Sequence, residues 1–205
     1  MSFIYFIEKR RKMKKNEDLN IYAHPYDKSF NHAIFTKVQQ ILKARKEEFS
    51  AIDLYWDNFN PAYDARELSL FKAGKTSDPN VKKYQKLLKE ANRLIFTFPV
   101  WWNDTPAIIK GFIDKVMKKQ FAYNVGATGV IGHLKNIQRV EVMTTSTSPT
   151  WYLKMFCGSA IKSVFINSTL KQLGMKHIKW LSFGNIDKSS AQRRKQYLES
   201  LVQKI

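Results

Sequence analysis

The chain is poor in the residues that staple or punctuate a fold. Among its 205 residues there is one cysteine, Cys157, so no internal disulfide is possible. That suits a reducing compartment, and a cytoplasmic location is expected. Cys157 has no histidine beside it in sequence and reads as a small apolar residue rather than a nucleophile. The four histidines are scattered without the spacing of a metal site, and no metal is expected. Glycine is scarce, at 8 residues, and no GxGxxG turn occurs. No paired carboxylates, Ser-His-Asp set or Cys-His set stand out, so acid–base or nucleophilic hydrolysis has no visible machinery. No apolar run approaches the ~20 residues that a membrane-spanning helix needs. Acidic residues are outnumbered 17 to 35 by lysine and arginine, for a formal charge of +18. Such a balance can serve nucleic acid, an anionic membrane or anionic cofactors. Here the basic residues are spread over helices rather than gathered in one arm, which argues against nucleic acid.

Apolar residues make up 44% and aromatics 14%, which excludes disorder and supports one α/β domain over residues 13–205. Residues 1–12 read as an extension outside the core. Phe3 to Ile7 are too few and wrongly flanked for a signal peptide or a span, and a short amphipathic anchor is the alternative.

The stretch that organises the rest runs from Arg93 to Tyr123. Leu94-Ile95-Phe96-Thr97-Phe98 stops at Pro99 and predicts a strand buried on both faces. Thr105 and Pro106 predict a helix start, with Ile108, Ile109, Phe112, Ile113 and Val116 at helical spacing. Between them lie Val100, Trp101, Trp102, Asn103 and Asp104, a loop at the carboxyl end of a strand, where open parallel sheets bind ligands. Upstream, the first strand is anomalous, since Asn16, Glu17, Asp18 and Asn20 sit where a central parallel strand is ordinarily apolar, and only Leu19, Ile21, Tyr22 and Ala23 fit. The following helix carries Ile34, Val38, Ile41 and Leu42 on one face and is capped by Asp27 or Ser29. Further strands are expected at Phe49–Tyr55, Ile137–Thr145 and His177–Phe183. Further helices are expected after Asp78-Pro79, over Trp151–Leu173 with Gly174 closing it, and after Ser189; Gly126–Gly132 reads as a small-residue loop. The alternation predicts a three-layer fold: five parallel strands in the order 2-1-3-4-5, covered by helices on both faces. In that order the loops after strands one, three and four meet at one edge.

Three motifs carry a family resemblance. Phe98 to Val116, FPVWWNDTPAIIKGFIDKV, resembles the signature of the flavodoxin-like NAD(P)H:quinone oxidoreductases, the group of DT-diaphorase, the drug-activity modulators and the Kef ancillary proteins. Tyr22-Ala23-His24-Pro25 with Ser29-Phe30-Asn31-His32-Ala33 resembles the first phosphate loop of that group. Thr144-Thr145, with Trp151-Tyr152 seven and eight residues after Thr144, resembles its second flavin loop. The resemblance implies a flavin, FMN or FAD, with compact length favouring FMN, and NAD(P)H as electron donor. It places the flavin phosphate at Ser29, Phe30 and Asn31 with His24 on the flavin chain. It places the ring against Pro99, Val100, Trp101, Trp102, Asn103, Thr144, Thr145, Ser146 and Thr147. Trp102, Tyr123 and Tyr152 would line the place of a quinone-like acceptor, with Tyr152 assisting proton movement. A homodimer is implied, with the flavin at its interface. The alternative is a flavin-binding ancillary subunit of a membrane protein with low turnover. Two departures stand out: Ser146 and Thr147 replace a glycine pair, and Gly158 replaces the histidine partner of the tyrosine.

Overall fold

The computed structural model describes residues 17–205. The expected extension of residues 1–12 and the start at Met13 lie outside the described residues. Strands β1 (Glu17–Tyr22), β2 (Glu48–Asp53), β3 (Ala91–Pro99), β6 (Arg139–Thr145) and β7 (Ile178–Phe183) form one parallel sheet in the order β2-β1-β3-β6-β7. This is the 2-1-3-4-5 order with the small hairpin strands left out. The intervening hairpin, β4 (Tyr123–Gly126) and β5 (Gly129–Gly132), stands where a plain loop was expected. Val125 stands opposite Val130 and Asn124 opposite Ile131, in strands that are short and largely exposed.

The two faces of the sheet differ, and this explains the odd first strand. Leu19 and Ile21 join Leu94, Phe96, Phe98, Val140 and Val142 in the larger core, under helices α3 (Pro79–Glu90) and α4 (Ala107–Val116) and a wide helix, Ile161–Leu170. The other face is covered by α1 (Phe30–Ala44) and α6 (Ala191–Lys204), and its smaller core centres on Ile95 and Met143 with Ile34, Val38 and Leu201. Asp18 and Asn20 point to that second face. Asn20 is wholly buried and donates to the Phe35 carbonyl, while Asp18 meets Arg93. The strand therefore alternates with period two because its two faces meet different neighbours. The expectation of a uniformly apolar central strand fails for that reason.

Two helix starts are shifted from their sequence signals. Helix α4 begins at Ala107 with Pro106 as its cap residue, not at Thr105. The Thr105 amide instead donates to the Asp104 carboxylate at 2.7 Å. Ser190, not Ser189, caps α6 by accepting from the Arg193 amide, while the Ser189 hydroxyl donates to the Ile186 carbonyl. Asp78 and Ser29 cap α3 and α1 as expected. The long helix expected over Trp151–Leu173 is broken into α5 (Thr150–Met155) and the wide helix by Gly158 and Ser159, both at positive φ. Short α2 (Ala65–Ser69) lies in the segment that follows β2.

Candidate functional site

The loops after β1, β3 and β6 meet at the carboxyl edge of the sheet and enclose a cleft of about 280 Å³. Its walls include His24, Ser29, Phe30 and Asn31 from the first loop, and Pro99, Val100 and Trp101 from the second. Thr145, Ser146 and Thr147 come from the third. Sequence reasoning missed Tyr26 and Ile186, which also line it. Ile186 is placed by the chain leaving β7, whose contribution to this edge no motif announced. Its amide donates to the Ser146 carbonyl at 3.0 Å, tying the two loops together.

The first loop is built as a helix start. Ser29 caps α1 by accepting from the His32 amide at 3.1 Å, and its hydroxyl lies 3.3 Å from that of Tyr22 beneath the cleft. Burial raises the Tyr22 phenol to about 12, so it stays protonated at neutral pH. The amides of Phe30 and Asn31, in the first turn, have no carbonyl of their own helix to donate to. The partial positive charge of the helix end adds to them. The Tyr26 amide donates to His24 Nδ1 at 3.0 Å, which leaves the ring proton on Nε2. Burial lowers the His24 pKa, so the ring is a neutral donor and not a cation.

Asn31 is the sharpest feature of the cleft. It is 3% exposed and bonds Thr145 Oγ1 at 2.7 Å, joining the first and third loops. Its Oδ1 is buried without a partner among the described residues. Turning the amide over keeps the bond to Thr145, whose hydroxyl then donates, and frees an N–H. An anionic group at the helix start would use that donor together with the free amides and His24 Nε2–H. The donor set therefore fits a phosphate.

The second loop is a tight turn. Trp101 and Asp104 exchange backbone hydrogen bonds at 3.0 Å in both directions, with Trp102 at φ 49° and Asn103 at φ 66°. That is the two-residue reverse turn in which both central residues are left-handed, a conformation that costs tryptophan more than asparagine. The Trp101 ring meets His24 edge-on at 6.1 Å. Trp102 is 98% exposed, and neither it nor Asn103 lines the cleft.

The third loop keeps an ordinary backbone. Ser146 and Thr147 are not among the residues at positive φ, so the loop needs no glycine pair. It is held from outside: Ser146 donates to the Ser148 carbonyl at 2.7 Å, and Gly184 allows close approach, since a Cβ there would come within 2.6 Å of the Thr150 amide. Thr144 was expected at the flavin ring. It is fully buried and accepts instead from Trp180 Nε1 at 2.8 Å.

Two residues expected at the acceptor place, Tyr123 and Tyr152, are not among those that line the cleft. Tyr152 is exposed on α5, with its ring stacked on Phe156 at 5.6 Å. Tyr123 lines a separate cavity of about 370 Å³ with Tyr63, Phe71 and Met117. The reason is topological: α4 carries the chain away from the cleft before Tyr123 opens β4.

Comparison with known proteins agrees with this architecture. The family model described as flavodoxin-like fold matches residues 18–205. An uncharacterized NAD(P)H oxidoreductase of Haemophilus influenzae is 28% identical, over 91% of this chain and 92% of its own. The ribosyldihydronicotinamide dehydrogenase [quinone] of Rattus norvegicus is 29% identical, over 91% and 89%. The crystal structure of Smu.1420 from Streptococcus mutans UA159 is 31% identical, with a TM-score of 0.78, over 91% of this chain and 97% of that one. With the sheet order, the three converging loops and these relatives in agreement, the chain belongs to the flavodoxin-like NAD(P)H:quinone oxidoreductase family.

Proposed function

We propose that the protein is a flavin-dependent NAD(P)H dehydrogenase acting on quinones or similar electrophiles, working from the cleft at the carboxyl edge of the sheet. The observation that carries this reading is the convergence of three loops on one cleft with a helix start at one end and Trp101 at the other. A flavin, FMN or FAD, would supply the hydride-transfer chemistry between NAD(P)H and the acceptor when bound. The chain's own residues bind and orient. The amides of Phe30 and Asn31, the Asn31 side chain and His24 Nε2–H hold the phosphate. Pro99, Val100, Trp101, Thr145, Ser146 and Thr147 form the walls that position the ring. Tyr152, on the helix that follows the third loop, donates a hydrogen bond to the acceptor oxygen where negative charge develops. A second copy of the chain covers the exposed aromatic rim, including Trp102, and excludes water from the reaction.

The test is direct. Purified protein is expected to carry or take up one flavin per chain, seen in its visible absorbance and identified by mass after release. Asn31→Leu removes a charge-assisted donor worth about 1.5–3 kcal/mol and should weaken flavin binding at least tenfold in titration. Protein that neither carries nor takes up flavin overturns the reading.

A further inference from the structure

Tyr22 ends β1 beneath the cleft without lining it. It is 1% exposed, and packing locks its ring. Phe35 stacks on the ring at 4.7 Å and His32 meets it edge-on at 5.7 Å, both from α1. A buried phenol ordinarily gives its proton to an acceptor. Among the described residues, the one hydrogen bond of this hydroxyl is with Ser29 Oγ, at 3.3 Å. That is long for two hydroxyls, but no other described group takes the proton.

The proton directions follow by elimination. If Ser29 donated to Tyr22, the phenol proton would be buried without an acceptor, which is the costlier arrangement. Tyr22 therefore donates and Ser29 accepts. Ser29 Oγ also accepts from the His32 amide at 3.1 Å, so the chain itself fills both of its lone pairs. What remains is the proton of Ser29. It has no acceptor among the described residues, and Ser29 lines the cleft. Donation into the cleft is the one role left to it. It would act there beside Asn31, whose buried amide also holds an unused polar atom.

We infer that Tyr22 is a positioning residue of the phosphate cradle: by donating to Ser29 from below, it turns the Ser29 hydroxyl outward as a donor to the anion. This rests on the proposed flavin site and adds to it a group that never touches the ligand. A free serine hydroxyl visits three staggered positions, so fixing one of them is worth about threefold in affinity. A hydroxyl that accepts a hydrogen bond also donates more strongly, which adds a smaller gain. Both effects act on the phosphate alone. They belong to FMN and not to riboflavin, which carries the same ring system without a phosphate.

Equilibrium dialysis of the full chain against FMN and against riboflavin tests this through the ratio of the two dissociation constants. Tyr22→Phe removes one oxygen and keeps the ring. It is expected to weaken FMN about threefold to fivefold and to leave riboflavin unchanged. Glycine starts a helix almost as well as serine, so Ser29→Gly should remove the donor with little harm to α1 and weaken FMN about tenfold. Adding Tyr22→Phe to Ser29→Gly should then change nothing further. Equal loss of FMN and riboflavin in Tyr22→Phe means general damage and overturns the inference, as does a loss that persists in the Ser29→Gly background. Where the tyrosine variant does not fold, Ser29→Gly decides alone, and an unchanged ratio overturns the inference. A parent that binds FMN no better than riboflavin defeats the phosphate cradle and this inference together. A parent that discriminates, with a Tyr22→Phe variant that discriminates equally, defeats this inference alone.

Discussion

Tyr152 and Gly158 show how single residues shape the chemistry. Hydride transfer into the cofactor needs stacking and orientation, whereas reduction of a quinone builds negative charge on its oxygen, where a hydroxyl donor helps. A positioned donor contributes typically 10²-fold or more. Family resemblance expects a histidine behind the tyrosine, but Gly158 sits at φ +66° and a side chain there would be strained. With glycine at that position no side chain can act as the relay, and in the proposed mechanism Tyr152 acts alone, at the smaller end of the range. Tyr152→Phe should slow reoxidation by quinone about tenfold to hundredfold and leave reduction by NAD(P)H nearly unchanged. Stopped-flow traces of the two half-reactions separate these steps; equal slowing of both, or no change, would remove Tyr152 from the chemistry. At this scale the sequence was informative where residues lie in one loop. His24, Ser29, Phe30 and Asn31 are brought together by one helix start, and their spacing announced it. It was silent on Ile186, which comes to the cleft from the far end of the chain through the sheet alone.

Among the elements, the segment between β2 and α3 is held by a buried ion pair in addition to the apolar packing of Leu54 and Phe59 in the larger core. Lys118, fully buried after α4, reaches Glu67 on α2, which is 2% exposed. The Lys75 carbonyl accepts from Lys118 at 2.9 Å, while Thr76 and the Ser77 amide and hydroxyl donate to Glu67. Burial alone would raise the Glu67 carboxyl, but the Lys118 ammonium and these donors hold it down to about 2. A depressed carboxylate stabilises the fold above its ordinary value of 4.5, and the contribution is lost as pH falls from there towards 2. Glu67→Gln strands the ammonium in the interior and should cost about 3–5 kcal/mol at pH 7. Denaturant unfolding should show that cost shrinking below pH 4.5, and a cost independent of pH would refute the pairing. Nothing in the sequence pointed to this clip, because two charged residues 51 positions apart leave no local pattern. The strands and main helices were legible for the opposite reason: their periodicity is local. Where prediction slipped, as in the broken helix after Trp151 or the capping by Ser190, a backbone turn of one or two residues decided the matter.

For the whole molecule, the telling feature is an edge that one chain leaves uncovered. Tyr26, Trp56, Trp101 and Trp102 stand exposed on the loops after β1, β2 and β3, and Trp151, Met155 and Phe156 stand exposed after β6. These loops all leave the carboxyl ends of parallel strands, so their apolar side chains collect on one rim around the cleft. Scattered exposed apolar residues are ordinary, but this many on loops at one edge beside the candidate cleft are the surface that we propose a partner covers. A second copy is the economical cover, because the same rim on each chain can meet itself across a twofold axis. Strong net positive charge, +18, opposes association at long range, so apolar contact must supply the attraction. Raising salt screens the repulsion and should tighten the dimer rather than dissolve it. Light scattering of the purified chain at micromolar concentration should therefore give twice the monomer mass, maintained at 0.5 M salt. Trp102→Asp places a charge on the most exposed ring of the rim without touching a buried side chain, and should shift the mass towards the monomer while thermal unfolding of the chain persists. A parent protein that scatters as a monomer at both salt concentrations would leave the rim without its partner and would remove the covered active site from the mechanism.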